Sequence, residues 1–169
     1  NKGRNRYALT PRFAPTSTEA QLAALGELAQ QYSDVFIQTH LSENLDEIAW
    51  VKSLFPQADG YLDVYDKYNL VRERAVFGHG IHLTPDEWGR LGESGATVAF
   101  CPTSNLFLGS GLFDMTAARA NKVHVAMATD VGAGTTFNMF KTYGDAYKVS
   151  QLRNDPLSPL EGFYLMTQG

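Results

Sequence analysis

Residues 35–43 read VFIQTHLSE and combine an apolar run with two reactive side chains. The apolar start predicts a buried β-strand over residues 35–39, and the helical pattern that follows predicts a helix from Glu43 onwards. His40 then lies at the carboxyl end of a strand, three residues before Glu43. In α/β enzymes, side chains at the carboxyl ends of strands carry the chemistry. The stretch therefore predicts a β/α unit with a functional site at its turn.

The rest of the chain repeats this alternation of apolar strands and amphipathic helices. Predicted strands cover residues 7–10, 35–39, 75–78, 97–100 and 123–129. Predicted helices cover residues 16–32, 43–55, 61–68, 84–92, 114–120 and 139–152, and a further helix starts at Ser158. Short strands that are apolar along their whole length are typical of a parallel sheet that is covered on both faces.

An unusual polar residue follows each of the five predicted strands. These residues are Arg12, His40, His79, Asn105 and Asp130. In a (β/α)8 barrel all strands end at the catalytic face, whereas an open doubly wound sheet concentrates function at one switch point. The pattern therefore favours the α/β class, and within it a partial (β/α)8 TIM barrel with about five β/α units present.

The composition narrows the class of function. The sequence has 169 residues and a formal net charge of −4, with no run of Lys or Arg. These features argue against a nucleic-acid surface and favour a small-molecule ligand. No export signal or long apolar span occurs, so we expect a cytoplasmic protein without membrane insertion. The absence of Walker, G-x-G-x-x-G, G-x-S-x-G, H-E-x-x-H and C-x-x-C motifs leaves nucleotide binding and a serine nucleophile without support.

Three of the strand-end residues are potential metal ligands, namely His40, His79 and Asp130. Zinc accepts such a set with water in an open position, and it lowers the pKa of that water to about 7. Non-haem Fe(II) uses the same ligand types, so the residues leave both metals open. Glu43 would share the released protons with Asp130. The structural alternative for His40 is a simple bond to a loop carbonyl.

Two further residues invite a metal role and need an interpretation. His82 lies three residues after His79, but ligation by both is disfavoured so near a strand end and Gly80. We therefore expect His79 to be the ligand and His82 to orient it. Cys101 is followed by Pro102 and flanked by apolar residues, so we interpret it as an inert buried thiol rather than a ligand or nucleophile.

Five segments resemble strand ends of the guanine deaminases, a family within the amidohydrolase superfamily. They are TPRF at 10–13, QTHLSE at 38–43, GHG at 78–80, CPTSN at 101–105 and ATDVG at 128–132. The histidine and aspartate motifs are shared across the superfamily. The PRF turn and the SNLFLGSG loop at 104–111 look specific to the family, and the resemblance covers nearly the whole chain.

The resemblance implies a zinc-dependent (β/α)8 barrel that hydrolyses guanine to xanthine and ammonia. The implied metal and proton-transfer residues are His40 and His79 as ligands, Asp130 as ligand and base, and Glu43 as proton shuttle. The implied purine-binding residues are Arg12 and Phe13, and we add His82 on the substrate side. No lysine ends the strand at 7–10, which implies the subtype with one metal ion.

Two features of the family are missing from the 169 residues: an H-x-H ligand pair from the first strand and an accessory β domain. We therefore expect residues 1–169 to be the C-terminal portion of a metal-dependent hydrolase barrel, inactive by itself, with a homodimer as one option for the parent. Two alternatives stay open. One is a related deaminase or chlorohydrolase that acts on another nitrogen heterocycle with the same ligands, and the other is a noncatalytic fragment.

Overall fold

The computed structural model describes residues 3–169, which form a five-stranded sheet with helices in the connections. The strands are β1 (Ala8–Leu9), β2 (Phe36–Leu41), β3 (Ala75–His79), β4 (Thr97–Phe100) and β5 (His124–Met127). Every pairing is parallel, and the order β1-β2-β3-β4-β5 follows the chain. A barrel winds in this sequential way, whereas a doubly wound sheet reverses at a switch point. The predicted fold class, a partial (β/α)8 barrel, is confirmed.

Helices fill the connections between the strands and follow β5. They are a 3-10 helix (Ala14–Thr16), α1 (Glu19–Gln31), α2 (Leu45–Leu54), α3 (Tyr61–Asp66), α4 (Pro85–Ser94), α5 (Pro102–Phe107), α6 (Met115–Ala120), α7 (Met139–Leu152) and α8 (Pro159–Thr167). The pattern TPDE at 84–87 predicts a capping box before α4, and this is confirmed, because the Thr84 hydroxyl accepts from the Glu87 N–H and the Glu87 carboxylate accepts from the Thr84 N–H. The pattern TSTE at 16–19 predicts a second capping box, and that prediction is wrong. Thr18 caps α1, because Thr16 is already part of the 3-10 helix.

The segment after β4 differs most from the sequence-based prediction. We assigned no helix there, but α5 begins at Pro102, directly after the strand. Proline at the first helical position lacks only an N–H that would have no partner in the helix, and its fixed φ already suits a helix. The consequence for the site is that Asn105 lies on a short helix, where its side chain reaches His79.

β2 extends further than predicted, to Leu41, so His40 lies inside the strand rather than after it. Successive side chains of a strand point to opposite faces. Ile37, Thr39 and Leu41 are buried on one face, while Gln38 on the other face is exposed. Within the described residues, His40 therefore lies on the less covered face of β2.

The core packs the helices against the covered side of the sheet. Its fully buried side chains include Leu22 of α1, Ile37 of β2, Phe77 of β3, Leu91 of α4 and Val98 of β4. The core therefore contains residues from both helices and strands, and this packing fixes the positions of the strand ends relative to one another. Within residues 3–169, no helix has the length and apolar character needed to cross a membrane.

Candidate metal centre

Three side chains that could bind a metal ion converge at the carboxyl edge of the sheet: His40 of β2, His79 of β3 and Asp130, which follows β5. One ligand atom from each lies within 4.8 Å of the others. In the β2–β3 register, His40 is opposite Gly78 and Leu41 is opposite His79. The two imidazole rings stack with their centroids 5.3 Å apart. The structure thus brings together all three predicted metal ligands.

The spacing of these atoms suits one small metal ion. Zinc binds nitrogen and oxygen ligands at about 2.0–2.2 Å, which places the ligand atoms of one ion within roughly 3–4.5 Å of one another. His79 Nε2 lies 3.9 Å from Asp130 Oδ2, too far for a hydrogen bond that would occupy either atom. The residues therefore fit a zinc ion, and by ligand type they fit Fe(II) as well.

The ring of His40 is held through its Nδ1 atom. Nδ1–H donates to the carbonyl oxygen of Arg12 at 2.6 Å. A carbonyl oxygen only accepts, so this contact puts the ring proton on Nδ1 and leaves the Nε2 lone pair for a metal. The same oxygen accepts from the His40 N–H at 3.2 Å. The loop-carbonyl bond that was the structural alternative for His40 is present, and it favours the tautomer that a ligand needs.

The ring of His79 is fully buried and is held by a side chain. Nδ1–H donates to Asn105 Oδ1 at 2.9 Å, which again directs Nε2 toward the other ligands. We expected His82 to provide this contact, and that expectation is wrong. The chain turns at Gly80, where φ is +59°, and the His82 ring instead donates from Nε2 to the carbonyl oxygen of Ser110 at 2.8 Å.

Two of the three candidate ligands lie in left-handed backbone. The φ angle is +72° at His79 and +47° at Asp130. Non-glycine residues adopt this conformation uncommonly, at a cost on the order of 1–3 kcal/mol, and such residues cluster at functional sites. After Asp130 the chain turns tightly: the Gly134 N–H donates to the Asp130 carbonyl at 2.6 Å, and a Cβ at Gly134 would collide with the Thr129 carbonyl oxygen. Backbone strain therefore accompanies the convergence of the ligands.

Glu43 lies beside the three ligands without belonging to their cluster. Its Oε2 is 3.7 Å from His79 Nε2, and its Oε1 accepts from the Ser110 hydroxyl at 3.1 Å. The Glu43 N–H donates to Glu47 Oε2 at 2.9 Å, as part of the capping network at the start of α2. Glu43 thus has a fixed backbone and one carboxylate oxygen that faces the candidate ligands.

Arg12 and Phe13 border the same edge of the sheet. The guanidinium of Arg12 lies 5.1 Å from the centroid of the Phe13 ring. The Phe13 ring lies 6.1 Å from that of His40 and 6.2 Å from that of Trp50. Among the residues that the structure describes, no carboxylate forms an ion pair with Arg12, whose side chain is exposed. Arg12 therefore has donors available beside the candidate ligands.

The hydroxyl of Tyr65 ties the first strand ends together. It donates to the His40 carbonyl at 2.9 Å and accepts from the Ala14 N–H at 2.9 Å and the Thr39 hydroxyl at 3.0 Å. Burial raises the pKa of Tyr65 to about 12, so the hydroxyl stays protonated at neutral pH. Local sequence spacing gives no sign of this connection between Tyr65 and His40.

Cys101 is buried at the end of β4, as predicted. Burial first, and then the nearby Asp130 carboxylate, raise the pKa of its thiol to about 12. A thiol that remains protonated is a poor nucleophile and a poor metal ligand. The prediction that Cys101 is buried is therefore confirmed, and the raised pKa supports its interpretation as an inert thiol.

Known proteins resemble this chain over nearly its whole length. The Amidohydrolase family matches residues 1–169. Guanine deaminase of Escherichia coli (strain K12) is 57% identical over 167 residues, which are 99% of this chain and 38% of the relative. The chain therefore spans less than two fifths of the length of that relative.

Solved structures of similar proteins superimpose closely. E. coli guanine deaminase matches with a TM-score of 0.96 and 57% identity, over 98% of this chain and 39% of that chain. Guanine deaminase from C. acetobutylicum, with guanine bound in its active site, matches with a TM-score of 0.90 and 35% identity, over 94% and 39%. An adenosine deaminase from Xanthomonas campestris with bound zinc matches with a TM-score of 0.84 and 28% identity, over 96% and 37%.

Proposed function

The chain belongs to the amidohydrolase family, and on that premise we propose that it forms part of a zinc-dependent guanine deaminase. The proposed reaction is the hydrolysis of guanine to xanthine and ammonia. The observation that carries this proposal is the 57% identity to E. coli guanine deaminase over 99% of this chain. The guanine bound in the active site of the C. acetobutylicum enzyme supports the same substrate class.

We propose that His40, His79 and Asp130 hold the metal ion. Their ligand atoms lie within 4.8 Å of one another, and both imidazoles have Nδ1 engaged, so Nε2 is the atom available for ligation. Zinc is favoured over Fe(II) because the adenosine deaminase of similar fold binds zinc. A metal ion of this kind supplies Lewis acidity, which makes water a stronger nucleophile near neutral pH.

Glu43 is proposed as the proton shuttle. Replacement of the amine on C2 of guanine by oxygen requires the attacking water to lose a proton and the departing amine to gain one. Glu43 Oε2 faces the candidate ligands, 3.7 Å from His79 Nε2, and this position supports such a transfer. Glu43 would take one proton from water and deliver it to the ring nitrogen, and the second proton of that water, taken up by Glu43 or Asp130, would pass to the leaving amine. Asp130 would act as a second base as well as a ligand.

Arg12 and Phe13 are proposed to bind the purine. The guanidinium has only donors, arranged in a planar fork, so it matches an acceptor edge such as the carbonyl and ring nitrogen of guanine. Adenine would present an exocyclic amine, a donor, to these donors. The absence of an ion-pair partner for Arg12 among residues 3–169 supports a role toward substrate. The Phe13 ring, next to that of His40, would supply an apolar surface for the purine.

We propose only an indirect role toward substrate for His82, as one of the residues that line a cavity beside the site. An open cavity of about 670 Å³ adjoins the site and is lined by Asn44, Leu45, Asp46, His82 and residues 108–110. The His82 ring uses Nε2–H for the Ser110 carbonyl. Its contribution would therefore be to shape this cavity.

We further propose that residues 1–169 supply the later part of a (β/α)8 barrel. The chain covers 38% of its E. coli relative, and in the described residues β1 and β5 are the edges of the sheet. An H-x-H pair and an accessory β domain would then come from outside this chain. The 169 residues alone should bind zinc weakly and leave guanine unchanged. Tight stoichiometric zinc together with guanine turnover by the 169-residue chain would overturn this part of the proposal.

A second candidate is a related deaminase or chlorohydrolase that acts on another nitrogen heterocycle. The adenosine deaminase of similar fold, at 28% identity, shows that closely related folds accept other purines. A noncatalytic role is the third candidate, and it predicts no metal at the site. These candidates differ in both substrate range and metal content.

The experiment that tests the proposal uses the full-length protein that carries this chain. Ammonia release is measured with guanine, adenine, cytosine and a chlorotriazine, and metal content is measured by elemental analysis of the same sample. We expect about one zinc per chain and clear preference for guanine. Turnover of another ring in place of guanine would favour the second candidate, and the absence of both metal and turnover would favour the third.

A further inference from the structure

We propose that Ser110 is a positioning residue for Glu43, and that His82 positions Ser110 in turn. The inference rests on the proposed function, because it assigns to Glu43 the proton transfer described above. The Ser110 hydroxyl donates to Glu43 Oε1 at 3.1 Å, while Glu43 Oε2 lies 3.7 Å from His79 Nε2. One carboxylate oxygen is thus bound to the loop, and the other is directed at the candidate ligands.

The backbone of Glu43 alone does not determine where its carboxylate points. Its N–H is fixed by Glu47 Oε2, but the side-chain torsions χ1 to χ3 are still free to rotate. The last of them, χ3, has no sharply preferred angle. A hydrogen bond at Oε1 selects one carboxylate orientation. Among the described residues, the hydrogen bond from Ser110 is the contact that reaches the Glu43 carboxylate from outside the cluster of candidate ligands.

Ser110 can select an orientation of the Glu43 carboxylate because both its own N–H and its own carbonyl are hydrogen-bonded. Its N–H donates to the Asn105 carbonyl at 2.8 Å, and its carbonyl accepts from His82 Nε2–H at 2.8 Å. Ser110 is only 6% exposed, so water does not freely replace these partners. The hydroxyl is therefore presented to Glu43 from a fixed backbone.

Gly111 brings the loop close to the segment that carries His82. Its φ is +136°, and a Cβ there would lie 2.7 Å from Ile81 Cγ2 and 3.6 Å from His82 Cε1. Only glycine combines this backbone with such a close approach. The 108–111 loop is therefore packed on residues 81–82 as well as hydrogen-bonded to them. Both contacts fix the position of Ser110.

A direct role of Ser110 toward substrate fits these contacts less well. A serine hydroxyl has one proton, and here that proton is engaged by Glu43. Ser110 would therefore act through Glu43, so its loss should slow turnover without weakening the binding of guanine. This expectation separates a positioning role from a substrate contact and from a purely structural role.

The test uses the full-length enzyme with Ser110→Ala and Ser110→Thr. Ser110→Ala should lower kcat roughly five- to fiftyfold, with KM and zinc content within about twofold of wild type. Ser110→Thr keeps the hydroxyl and should recover most of the lost rate. Ser150→Ala is the matched control, because Ser150 is 7% exposed and bonds to α7 and Leu157 outside the site. It should lower the melting temperature at least as much while leaving kcat unchanged.

A double-mutant cycle makes the test specific to Glu43. In the Glu43→Gln background, Ser110→Ala should change kcat less than about twofold, because the group that Ser110 positions no longer transfers protons. His82→Leu should lower kcat, His82→Gln should lower it less because it retains a donor, and neither should add to Ser110→Ala. Full additivity, an effect on KM alone, or wild-type kcat in Ser110→Ala would overturn the inference. Failure of the wild-type enzyme to turn over guanine would overturn the proposed function instead.

Discussion

The two candidate histidine ligands stand side by side on neighbouring strands, yet they are held in different ways. His40 donates from Nδ1 to a backbone carbonyl, that of Arg12, whereas His79 donates from Nδ1 to a side chain, that of Asn105. No substitution at position 12 removes a carbonyl, but a single substitution at position 105 removes the other acceptor. The orientation of the His40 ring is therefore protected by the main chain, whereas that of the His79 ring depends on the side-chain amide of Asn105.

The largest effects should come from residues on the His79 side of the site. In the full-length enzyme, Glu43→Gln should lower turnover on the order of 10²- to 10⁴-fold with zinc retained, because the amide keeps its shape but relays no proton. His79→Ala should lose both metal and rate. Elemental analysis alongside a kcat measurement separates the two variants. Loss of zinc from a well-folded Glu43→Gln protein would show that the assigned roles of shuttle and ligand are wrong.

Substitution of Asn105 tests whether its side chain orients His79. Asn105→Leu has nearly the same shape but no acceptor, so the His79 ring loses its partner and zinc affinity should fall about 10- to 100-fold. Loss of Asn105 Nδ2 strands no other group, but the buried His79 Nδ1–H loses its acceptor, so the free energy of unfolding should fall by about 1–3 kcal/mol. Competition with a chromogenic chelator measures the affinity.

Asn105→Asp is the control for this experiment, since it keeps an acceptor at the same position. It should hold zinc within a few fold of wild type. Equal zinc affinity in all three proteins would mean that Asn105 has no part in orienting His79.

Arg12→Met tests whether the main chain at position 12 holds His40 independently of the Arg12 side chain. The substitution removes the guanidinium and keeps the carbonyl that holds His40, so zinc content and melting temperature should stay near wild type. The kcat/KM for guanine should nevertheless fall roughly ten- to a hundredfold, because a charged donor to the purine is lost. Steady-state kinetics and metal analysis on one preparation test both statements. Unchanged efficiency toward guanine would remove Arg12 from the substrate site.

The smallest effect is expected from Tyr65→Phe. Without the hydroxyl, the Ala14 N–H loses its acceptor, so the free energy of unfolding should fall by about 1–3 kcal/mol. The change in kcat should stay within a few fold, because the Arg12 carbonyl still holds His40. Chemical denaturation measures the stability. A large loss of zinc would reveal that the main-chain support of His40 depends on Tyr65 after all.

The sequence was sufficient to predict that the three candidate ligands lie together, because parallel strands end at one edge. His40, His79 and Asp130 each follow or end an apolar strand, and strands that pair in chain order must bring these ends together. The alternation of strands and helices predicted the fold for the same reason, since local periodicity carries it.

The contacts that support the ligands were not predictable in this way. Asn105 and His79 are 26 residues apart, and Ser110 and Glu43 are 67 apart, so no local pattern joins them. The sequence marks Asn105 as a polar residue after a strand, but its contact with His79 depends on a helix that begins at Pro102. Proline at the first helical position is the signal in the sequence for that helix. The prediction for His82 is wrong because His79 and His82 are close in sequence while their rings have different partners.

The left-handed backbone at His79 and Asp130 also restricts which mutations an evolving population can tolerate there. Histidine, aspartate and asparagine enter this conformation more readily than other side chains, and β-branched residues are strongly opposed to it. A change to valine or isoleucine at either position would remove a candidate metal ligand and strain the main chain at the same time. Selection for folding alone therefore disfavours many of the alleles that selection for chemistry would also remove, and the two pressures reinforce each other at these codons.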